Sequence, residues 1–379
     1  MRLPLDPKNI ERLLIRGTNW VGDAVMSLPA LKQVRREFPN AQINLLVVPW
    51  VSGVYEECKC IDELILYDRW GKHRGMRGKI RLIREIRQRN FDAALLFQNA
   101  FEAAFLARLS GIRVRAGYGR DGREWLLTHP IRIDPRIQRL HQSYYYLDLV
   151  DQLLGKARIA LEMADDPGGE KRYSLPMPEI SLEVGRVRRD AAREKFKEIG
   201  VTLERTLVGV NPGAYFGSAK RWLSDRFAEL LDRLIERNDA DVVIFGASSE
   251  LQLAQSIESL MRRQPLILSG KTTLAELIAM ISICDLFITN DSGPMHLAAA
   301  VQVPTLAIFG PTDEIATGPL SPTAVLIKKR VECSPCLLRE CPIDHRCMTR
   351  ISVDEVYAQA VQMLNTASGT IFRNAADKG

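Results

Sequence analysis

Short apolar runs alternate with longer amphipathic segments along the first 150 residues of the chain. The runs are almost continuously apolar, as in RLLIR and INLLVV, which is typical of parallel strands that are covered on both faces. Strand patterns that alternate with helix patterns predict parallel βαβ units. We predict strands at residues 12–16, 43–48, 63–67 and 93–97, and a helix at 24–38.

The pattern changes at residues 165–179, DDPGGEKRYSLPMPE, where Pro, Gly and charged residues replace the periodicity. We interpret this segment as an interdomain linker. After it, a charged helix at 181–199 precedes a second alternating series. Its predicted strands are 207–210, 241–245, 265–268, 286–289 and 305–309; its predicted helices are 224–238, 249–262, 273–284 and 294–301, with a final amphipathic helix at 353–366.

The two series predict an α/β protein with two doubly wound, Rossmann-like domains that face a central cleft. The predicted boundaries are 1–180, 181–350 and a C-terminal helix and tail at 351–379. In this architecture ligands bind at the carboxyl ends of the strands. The strand-end loops are therefore where we expect the chemistry.

Composition narrows the class of protein. The 379 residues are 46% hydrophobic and 26% charged, which is ordinary for a folded globular protein. No apolar run approaches the roughly 20 residues that a membrane helix needs, and the N-terminal residues lack the apolar core of a signal peptide. We therefore expect a cytoplasmic protein.

Charge is divided unevenly along the chain. The net charge is +6, but residues 1–160 hold 27 Lys and Arg against 17 Asp and Glu, whereas the remainder holds 25 against 29. Within residues 69–89 there are nine basic residues and one acidic residue. This local field predicts an anionic partner for the N-terminal half: nucleic acid, a membrane surface or a phosphorylated substrate. A solvated helix face is the alternative.

The first strand-end loop is GTNWVGD, which places Asp23 directly after Gly22 at a strand-to-helix turn. Its carboxylate is predicted to lie at the mouth of the cleft, and an ordinary helix N-cap is the alternative interpretation. Gly17 and Gly22 are five positions apart and do not form a GxGxxG motif, which disfavours a dinucleotide site.

The second loop is NPGAYFGSAKRW. Gly213 and Ala214 are small enough for backbone N–H groups to approach an anion, and Lys220 and Arg221 add positive charge, so we predict a phosphate ligand. The spacing is not that of a Walker loop. The alternative is a surface loop with solvated Lys and Arg, followed by a packed Trp222.

The third loop is NDSGPMHLAAA. Asp291 or Ser292 is predicted to cap the following helix, with Pro294 in its first turn. The remaining N–H groups and the helix dipole form an anion site. His296 falls on the first turn and could face the same ligand, although a lone His at a helix start is more often structural.

In combination, GTNWVGDAVMSLPAL, NPGAYFGSAKRW and NDSGPMHLAAA resemble glycosyltransferase family nine, the bacterial ADP-heptose lipopolysaccharide heptosyltransferases, over about residues 12–366. The NWVGDAVM wording and a Cys-rich tail resemble most the members that add the second core heptose. The resemblance implies a GT-B fold and an inverting transfer from ADP-heptose to the first heptose of the inner core. It implies no cofactor for catalysis, which agrees with the lack of a DxD motif near these loops.

The resemblance also assigns roles to residues. Asp23 matches the general base that deprotonates the acceptor hydroxyl, and Lys220 matches the residue that neutralises the donor diphosphate. Glu250 matches a ligand of the adenosine ribose, and Thr272 is a weaker candidate for the adenosine pocket. The implied donor-binding residues are Gly213, Ala214, Lys220, Glu250, Thr272, Asp291, Ser292, Gly293 and His296.

The implied acceptor is heptosyl-Kdo2-lipid A, which is rich in carboxylates and phosphates and lies at the cytoplasmic face of the inner membrane. Arginine suits such groups through bidentate pairing. The basic segment 69–89 would also favour an anionic membrane surface, so we expect a peripheral location. The predicted acceptor-binding residues are Asn19, Asn99, Arg120 and Arg123.

Four cysteines, Cys333, Cys336, Cys341 and Cys347, lie within 15 residues and close to His345. This spacing predicts a tetrahedral sulfur site for a structural Zn or iron ion. Reduced or opportunistically oxidised thiols are the first alternative, and a redox function is the second.

Three other functions remain open from the sequence. One is a related GT-B transferase with another nucleotide-sugar or acceptor, such as the enzyme that adds the first heptose. Another is a nucleotide-sugar epimerase, which would need no acceptor. A nucleic-acid-binding protein would leave the Gly213 and Gly293 loops unexplained and would have few aromatic residues for base stacking, so we expect no nucleic-acid partner.

Overall fold

The computed structural model describes residues 4–156, 163–165, 171–173 and 176–376. The chain divides into two compact units, Met1–Ile180 (unit 1) and Ser181–Gly379 (unit 2). Each unit contains one six-stranded sheet whose strands all run parallel. The predicted α/β class, with two Rossmann-like halves, is confirmed.

The sheet of unit 1 has the strand order β3-β2-β1-β4-β5-β6. Because β1 lies between β2 and β4, the chain reverses direction across the sheet at the β1–β4 boundary, which is the topological switch point where such sheets bind ligands. The strands are β1 Arg12–Arg16, β2 Gln42–Val47, β3 Glu63–Leu66, β4 Ala93–Leu96, β5 Val114–Tyr118 and β6 His129–Ile131.

In the described residues of unit 1, five α-helices and four 3₁₀ helices accompany this sheet. The α-helices are α1 Val21–Met26, α2 Leu28–Glu37, α3 Gly75–Gln88, α4 Phe101–Leu109 and α5 Gln142–Leu153; the 3₁₀ helices are Pro7–Asn9, Pro49–Val54, Glu124–Leu126 and Ile137–Arg139.

The predicted helix 24–38 is wrong in one respect, because the structure divides it at Ser27. The Ser27 hydroxyl donates to the carbonyl oxygen of Ala24 (2.8 Å), and Pro29 has no N–H to continue the backbone ladder.

The predicted linker at 165–179 lies partly outside the described residues. Two short strands in this region, β7 Met163–Asp165 and β8 Lys171–Tyr173, pair antiparallel. The helix predicted from residue 181 begins five residues later in the structure, at Arg186.

The sheet of unit 2 repeats the order of unit 1. Its strands are β9 Leu207–Asn211, β10 Asp241–Ile244, β11 Leu266–Ile267, β12 Leu286–Asn290, β13 Thr305–Phe309 and β14 Ala324–Lys328. They are ordered β11-β10-β9-β12-β13-β14, so the switch point lies between β9 and β12.

Up to residue 376, where the described part of the chain ends, unit 2 contains eight α-helices and two 3₁₀ helices. They are α6 Arg186–Glu198, α7 Ser224–Asn238, α8 Leu251–Leu260, α9 Leu274–Ile281, α10 Gly293–Ala300, α11 Glu314–Thr317, α12 Arg346–Thr349 and α13 Val353–Ala376, with 3₁₀ helices at Ser218–Lys220 and Ser248–Glu250. Trp222 is buried in the core of this unit and packs edge-on against Phe227, with ring centroids 5.0 Å apart. Its indole N–H donates to the carbonyl oxygen of Ile351 (3.1 Å), which connects the start of α7 to the region before α13. Across the described ranges, no helix combines the length and the apolar character needed to cross a bilayer.

The sequence did not predict β5, β6 or β14. Strand β5 contains Arg115, whose guanidinium is buried and donates to the carbonyl oxygen of Leu126 (2.7 Å). Strand β6 has three residues, one of them a proline, and the edge strand β14 is only partly buried. Strands β5 and β6 therefore lack the continuous apolar run that marks the central strands. Strand β14 has such a run, AVLIK, and sequence reasoning missed it.

Candidate active site

Asp23 lies inside the first turn of α1, after β1. The N-cap position belongs to Trp20 and has no side-chain cap, so the N-cap interpretation of Asp23 is wrong. Its Oδ1 accepts a hydrogen bond from the Tyr146 hydroxyl (3.0 Å). Burial raises the pKa of the Asp23 carboxyl, and the bond from Tyr146 opposes that rise. A carboxylate with a raised pKa accepts a proton more readily than a solvated one.

The loop that precedes α1 is held by Arg16, a buried residue that sequence reasoning missed. Its guanidinium donates to the carbonyl oxygens of Gly17 (2.6 Å) and Leu46 (3.1 Å) and to Asn19 Oδ1 (2.9 Å). Burial lowers the pKa of Arg16 to about 10. Asn19 is fixed a second time by Trp50, whose indole N–H donates to its carbonyl oxygen (2.7 Å). The sequence feature that could have identified Arg16 is a cation at the end of an apolar strand, RLLIR.

The loop after β4 carries Asn99. Its amide donates to the Tyr145 hydroxyl (2.8 Å), and its Oδ1 accepts from Arg123 (3.2 Å). Arg123 is completely buried and also donates to the carbonyl oxygens of Tyr118 (3.1 Å) and Gln98. Burial lowers the pKa of Arg123 to about 10. The geometry therefore places Arg123 beneath the loop, where it orients Asn99.

Arg120 differs from Arg123 in its exposure. It lies on the surface of unit 1, where its Nε is 3.3 Å from Asp121 Oδ1. Hydrogen bonding to Tyr145 raises the pKa of Arg120. Tyr145 thus connects Arg120 to Asn99.

The basic segment 69–89 combines internal ion pairs with unpaired charge. Lys72 pairs with Glu85 and Lys79 with Glu102, both at 2.7 Å, and Arg89 pairs with Glu63. In the part of the chain that the structure describes, four exposed arginines of the segment have neither an ion pair nor a side-chain hydrogen bond: Arg74, Arg77, Arg81 and Arg84. Arg87 is also exposed and forms no ion pair there, but it donates to the carbonyl oxygen of Leu109 (2.6 Å). Exposed arginines of this kind fit both a solvated helix face and a surface that binds an anionic partner.

Helix α4 exposes an apolar stripe beside α3. Phe101, Phe105 and Leu109 recur every four residues and are all exposed. Phe101 stacks on Phe105 with ring centroids 6.0 Å apart and contacts Trp125 at 6.1 Å. Trp125 itself is 67% exposed. Sequence reasoning missed this stripe, although FEAAFLARL is apolar around most of the helix.

In unit 2, two asparagines connect the loops that follow β9 and β12. The Asn211 amide donates to the carbonyl oxygen of Gly213 and to Ser292 Oγ, both at 3.2 Å. From the other side, the Asn290 amide donates to the carbonyl oxygen of Pro212 (2.7 Å), and its Oδ1 accepts the N–H of Trp222 (3.1 Å). The two predicted phosphate loops are therefore joined at the switch point.

Lys220 forms a buried ion pair with Asp291. The Lys220 Nζ lies 2.7 Å from Asp291 Oδ2, and only 14% and 4% of the two side chains are exposed. Thr312 donates its hydroxyl to the same oxygen (2.5 Å), and the ammonium lies 5.0 Å from the centroid of the Phe216 ring. The interpretation of Lys220 as a solvated surface residue is therefore wrong.

Arg221 belongs to the same loop. It donates to the carbonyl oxygen of Ala214 (3.3 Å), and its Nε is buried with no partner among the described residues.

The N-terminus of α10 has no side-chain cap. Ser292 occupies the N-cap position, but neither it nor Asp291 caps the helix, so that prediction is wrong. The Ser292 hydroxyl instead contacts Thr289 Oγ1 (3.2 Å) and accepts the hydrogen bond from the Asn211 amide. Pro294 lies in the first turn, as predicted, and Gly293 is the first helical residue. An uncapped helix start of this kind attracts anions. His296 lies on the same helix and is buried.

Glu250 packs against the loop after β9. Its Oε2 accepts the N–H of Ala247 (2.9 Å). A Cβ on Gly213 would lie 2.0 Å from Glu250 Oε1, so a larger residue at that position would displace the Glu250 carboxylate. Ser269 Oγ is nearby, 3.0 Å from where a Cβ of Gly246 would lie, and is buried without a partner in the described ranges. Thr272 is half-buried and precedes Thr273, the N-cap of α9.

The four cysteines do not form the predicted metal site. Cys333 and Cys336 are exposed, whereas Cys347 is buried in the core of unit 2. Burial raises the pKa of the Cys347 thiol to about 11, with a smaller contribution from the other three thiols. Within the described residues, no three His, Cys, Asp or Glu side chains are grouped closely enough to hold a metal ion. The prediction of structural Zn or iron is therefore not supported.

Two units with this strand order, each with polar residues at its switch point, define a double Rossmann-like protein. In one unit, Lys220 and the uncapped start of α10 are groups that suit an anion. In the other unit, the buried carboxylate of Asp23 follows the strand at the switch point.

The comparisons identify the family. The model of glycosyltransferase family 9 (heptosyltransferase) matches residues 79–346. The chain belongs to this family and is a glycosyltransferase.

Similar proteins cover nearly the whole chain. Lipooligosaccharide heptosyltransferase 2 of Campylobacter jejuni is 28% identical over 94% of this chain and 99% of the relative. Lipopolysaccharide heptosyltransferase 2 of Escherichia coli is 28% identical over 84% of this chain and 88% of the relative. Among solved structures, E. coli ADP-heptose LPS heptosyltransferase II superposes with a TM-score of 0.78 at 25% identity, covering 94% of this chain and 99% of that one. A family 9 glycosyltransferase from Veillonella parvula superposes with a TM-score of 0.80 at 25% identity, covering 96% and 99%.

Proposed function

We propose that this glycosyltransferase transfers L-glycero-D-manno-heptose from ADP-heptose to the first heptose of the lipopolysaccharide inner core, with inversion at the anomeric carbon. The names of its relatives support the sugar and the acceptor. The structural observation that carries the proposal is the Lys220–Asp291 pair (2.7 Å) beside the uncapped start of α10, an arrangement that suits a diphosphate.

In the proposed reaction, Asp23 accepts the proton of the acceptor hydroxyl. The hydroxyl oxygen forms a bond to the anomeric carbon on the face opposite ADP, while the bond from that carbon to the phosphate oxygen breaks. The hydrogen bond from Tyr146 orients the carboxylate for this step. Because burial raises the pKa of Asp23, the carboxylate is a stronger base than an exposed one.

Charge that develops on the leaving ADP is stabilised by fixed protein groups. Lys220 and the first-turn N–H groups of α10, which begins at Gly293, supply this charge in place of an obligatory metal ion. Ser292 and His296 flank the helix start in sequence, and Asp291 holds the ammonium of Lys220 in position.

The adenosine end of the donor is proposed to lie beside Glu250. The carboxylate of Glu250 lies against the backbone of Gly213, where it can accept hydrogen bonds from a ribose. Ser269 Oγ, which is buried and unpartnered in the described part of the chain, is a further polar group there. Ala214 and Thr272 complete the proposed donor pocket.

The acceptor is proposed to bind to unit 1. Asn19 and Asn99 follow the two strands at the switch point and are held by Arg16 and Arg123. Exposed Arg120, together with the unpaired arginines of α3, matches the carboxylates and phosphates of a Kdo-lipid A core.

Unit 1 is also proposed to dock on the anionic cytoplasmic face of the inner membrane. The stripe of Phe101, Phe105 and Leu109, with Trp125, is exposed on α4 and its neighbouring turn. The four unpaired arginines lie on and before α3, which packs beside α4. Aromatic side chains next to arginines are characteristic of surfaces that bind the membrane interface.

A vesicle assay tests the docking surface. We expect the protein to sediment with phosphatidylglycerol-containing vesicles and to be released by high salt. The variant Phe101→Ser/Phe105→Ser should lose binding, whereas Leu260→Ser, an exposed leucine in unit 2, should bind normally. Equal binding by both variants would reject this surface.

The activity is tested with purified protein, ADP-heptose and lipid A cores truncated before and after the first heptose, with products measured by mass. We expect one heptose to be added only to the core that already has one. Asp23→Ala should abolish turnover and leave ADP affinity nearly unchanged. Transfer to the shorter core would identify another acceptor, and conversion of the donor without an acceptor would indicate an epimerase.

A further inference from the structure

The cysteine-rich segment, residues 333–345, packs against the loop that carries Lys220. The N–H of Ala219 donates to the carbonyl oxygen of Arg339 (3.0 Å). His345 Nε2 contacts the carbonyl oxygen of Ala219 (2.7 Å). A Cβ on Gly217 would lie 2.1 Å from the Arg339 carbonyl oxygen, so glycine permits this close approach. The 3₁₀ helix that ends in Lys220 is therefore attached to this segment through both the N–H and the carbonyl group of Ala219.

The other end of the segment is attached to the loop after β13. The N–H groups of Cys336 and Leu337 donate to the carbonyl oxygen of Pro311 (3.0 and 2.9 Å). The Ser334 hydroxyl donates to the carbonyl oxygen of Gly310 (2.7 Å). The next residue along is Thr312, which donates to Asp291. The segment thus bridges the two loops that position the Lys220–Asp291 pair.

Two cations face one aromatic ring at this place. The Arg339 guanidinium carbon lies 5.3 Å from the centroid of the Phe216 ring, and Lys220 Nζ lies 5.0 Å from the same centroid. Arg339 is exposed and forms no ion pair with any residue that the structure describes. It is a charge held next to the donor loop without a protein counter-ion.

The proposed donor site needs more positive charge than Lys220 supplies, and Arg339 can provide it. Lys220 is paired with the buried carboxylate of Asp291, so the pair is formally neutral. A nucleoside diphosphate brings at least two negative charges, and one ammonium already paired with a carboxylate does not balance them. Arg339 supplies a further positive charge, and its planar fork matches phosphate oxygens.

We propose that Arg339 is a second donor-site cation that binds the diphosphate of the nucleotide, and that the cysteine-rich segment serves to hold it there. The inference rests on the proposed function, since that function supplies the nucleoside diphosphate. It gives the segment a role that requires no metal ion.

Titration calorimetry with ADP and with adenosine tests the inference. We expect Arg339→Gln to weaken ADP binding about tenfold, the loss expected for one charge-assisted contact, and to leave adenosine binding unchanged. Arg339→Lys should retain most of the ADP affinity, because it keeps the charge. The control Arg330→Ala removes an exposed arginine elsewhere in unit 2 and should bind ADP normally.

Three outcomes separate the alternatives. If Arg339→Gln binds ADP as the wild type does, the inference is overturned. If Gln and Lys variants lose ADP and adenosine binding equally, Arg339 only supports the loop, and the inference is again overturned. If the wild-type protein binds ADP no better than adenosine, the proposed donor, and with it the proposed function, fails.

Discussion

Replacing Lys220 by methionine should destabilise unit 2 as well as weaken donor binding. Asp291 is 4% exposed, and its Oδ2 contacts Lys220 Nζ at 2.7 Å and the Thr312 hydroxyl at 2.5 Å. Lys220→Met leaves a buried carboxylate with the Thr312 hydroxyl as its remaining side-chain contact among the described residues. Removing one member of a buried pair costs about 3–5 kcal/mol. Because the lysine side chain is 14% exposed and water can enter, we expect the lower end, about 3 kcal/mol.

Calorimetric and denaturant unfolding measure this cost. Each kcal/mol lowers the Tm of a unit of this size by about 2–4 °C, so the transition of unit 2 should fall by about 6–12 °C. The double variant Lys220→Met/Asp291→Asn removes both charges and should recover most of the loss. Lys195→Met is the matched control, since Lys195 pairs with Glu276 at 2.9 Å on the surface, where such pairs contribute about 0–1 kcal/mol.

The reasoning is refuted if Lys220→Met and Lys195→Met lower the free energy of unfolding equally. It is also refuted if the double variant is no more stable than Lys220→Met, because the loss would then come from packing rather than from an unpaired charge.

Three further predictions follow from particular contacts. Tyr146→Phe removes the hydrogen bond that lowers the pKa of Asp23, so that pKa should rise. Because the base must be ionised, activity is lost as pH falls through this pKa. The acidic limb of the kcat/KM profile should therefore move to higher pH. The pKa of Glu276 is lowered from 4.5 to about 2, chiefly by the Thr273 N–H. The ionised carboxylate therefore stabilises the fold above pH 4.5, and this stabilisation is lost towards pH 2. Glu276→Gln should reduce the change in the free energy of unfolding between these two pH values, and an unchanged dependence on pH would contradict this reasoning. Cys333→Ser/Cys336→Ser changes two exposed thiols and should leave the Tm and the metal content unchanged, whereas a marked drop in Tm would restore the metal hypothesis.

Local sequence was sufficient for most of the architecture. The strand predicted at 305–309 and the helix predicted at 224–238 have the bounds found in the structure, because a buried parallel strand and an amphipathic helix each impose a short-range pattern. The same locality placed Lys220 and Asp291 after neighbouring strands. It could not show that their side chains form an ion pair, since 71 positions separate them.

Residues whose role depends on distant partners were predicted poorly. Arginine is usually exposed, but Arg123 is completely buried and donates to Asn99. The four cysteines have the spacing of a metal site, but two are exposed and Cys347 is in the core. Spacing along the chain does not determine the orientation of a thiol or a guanidinium once the loop has packed.

The sequence by itself determined the two Rossmann-like units, the order of their elements and the loops in which polar residues follow strands, because these depend on local apolar periodicity and turn chemistry. Only the tertiary structure decided which charges are paired. It buried Lys220 against Asp291 and placed Arg339 beside the Phe216 ring, which Lys220 also faces. It exposed Phe101 and Phe105 on α4. The physical reason is that the environment of a charge or an aromatic ring is set by segments far away in the chain, and folding alone brings them together.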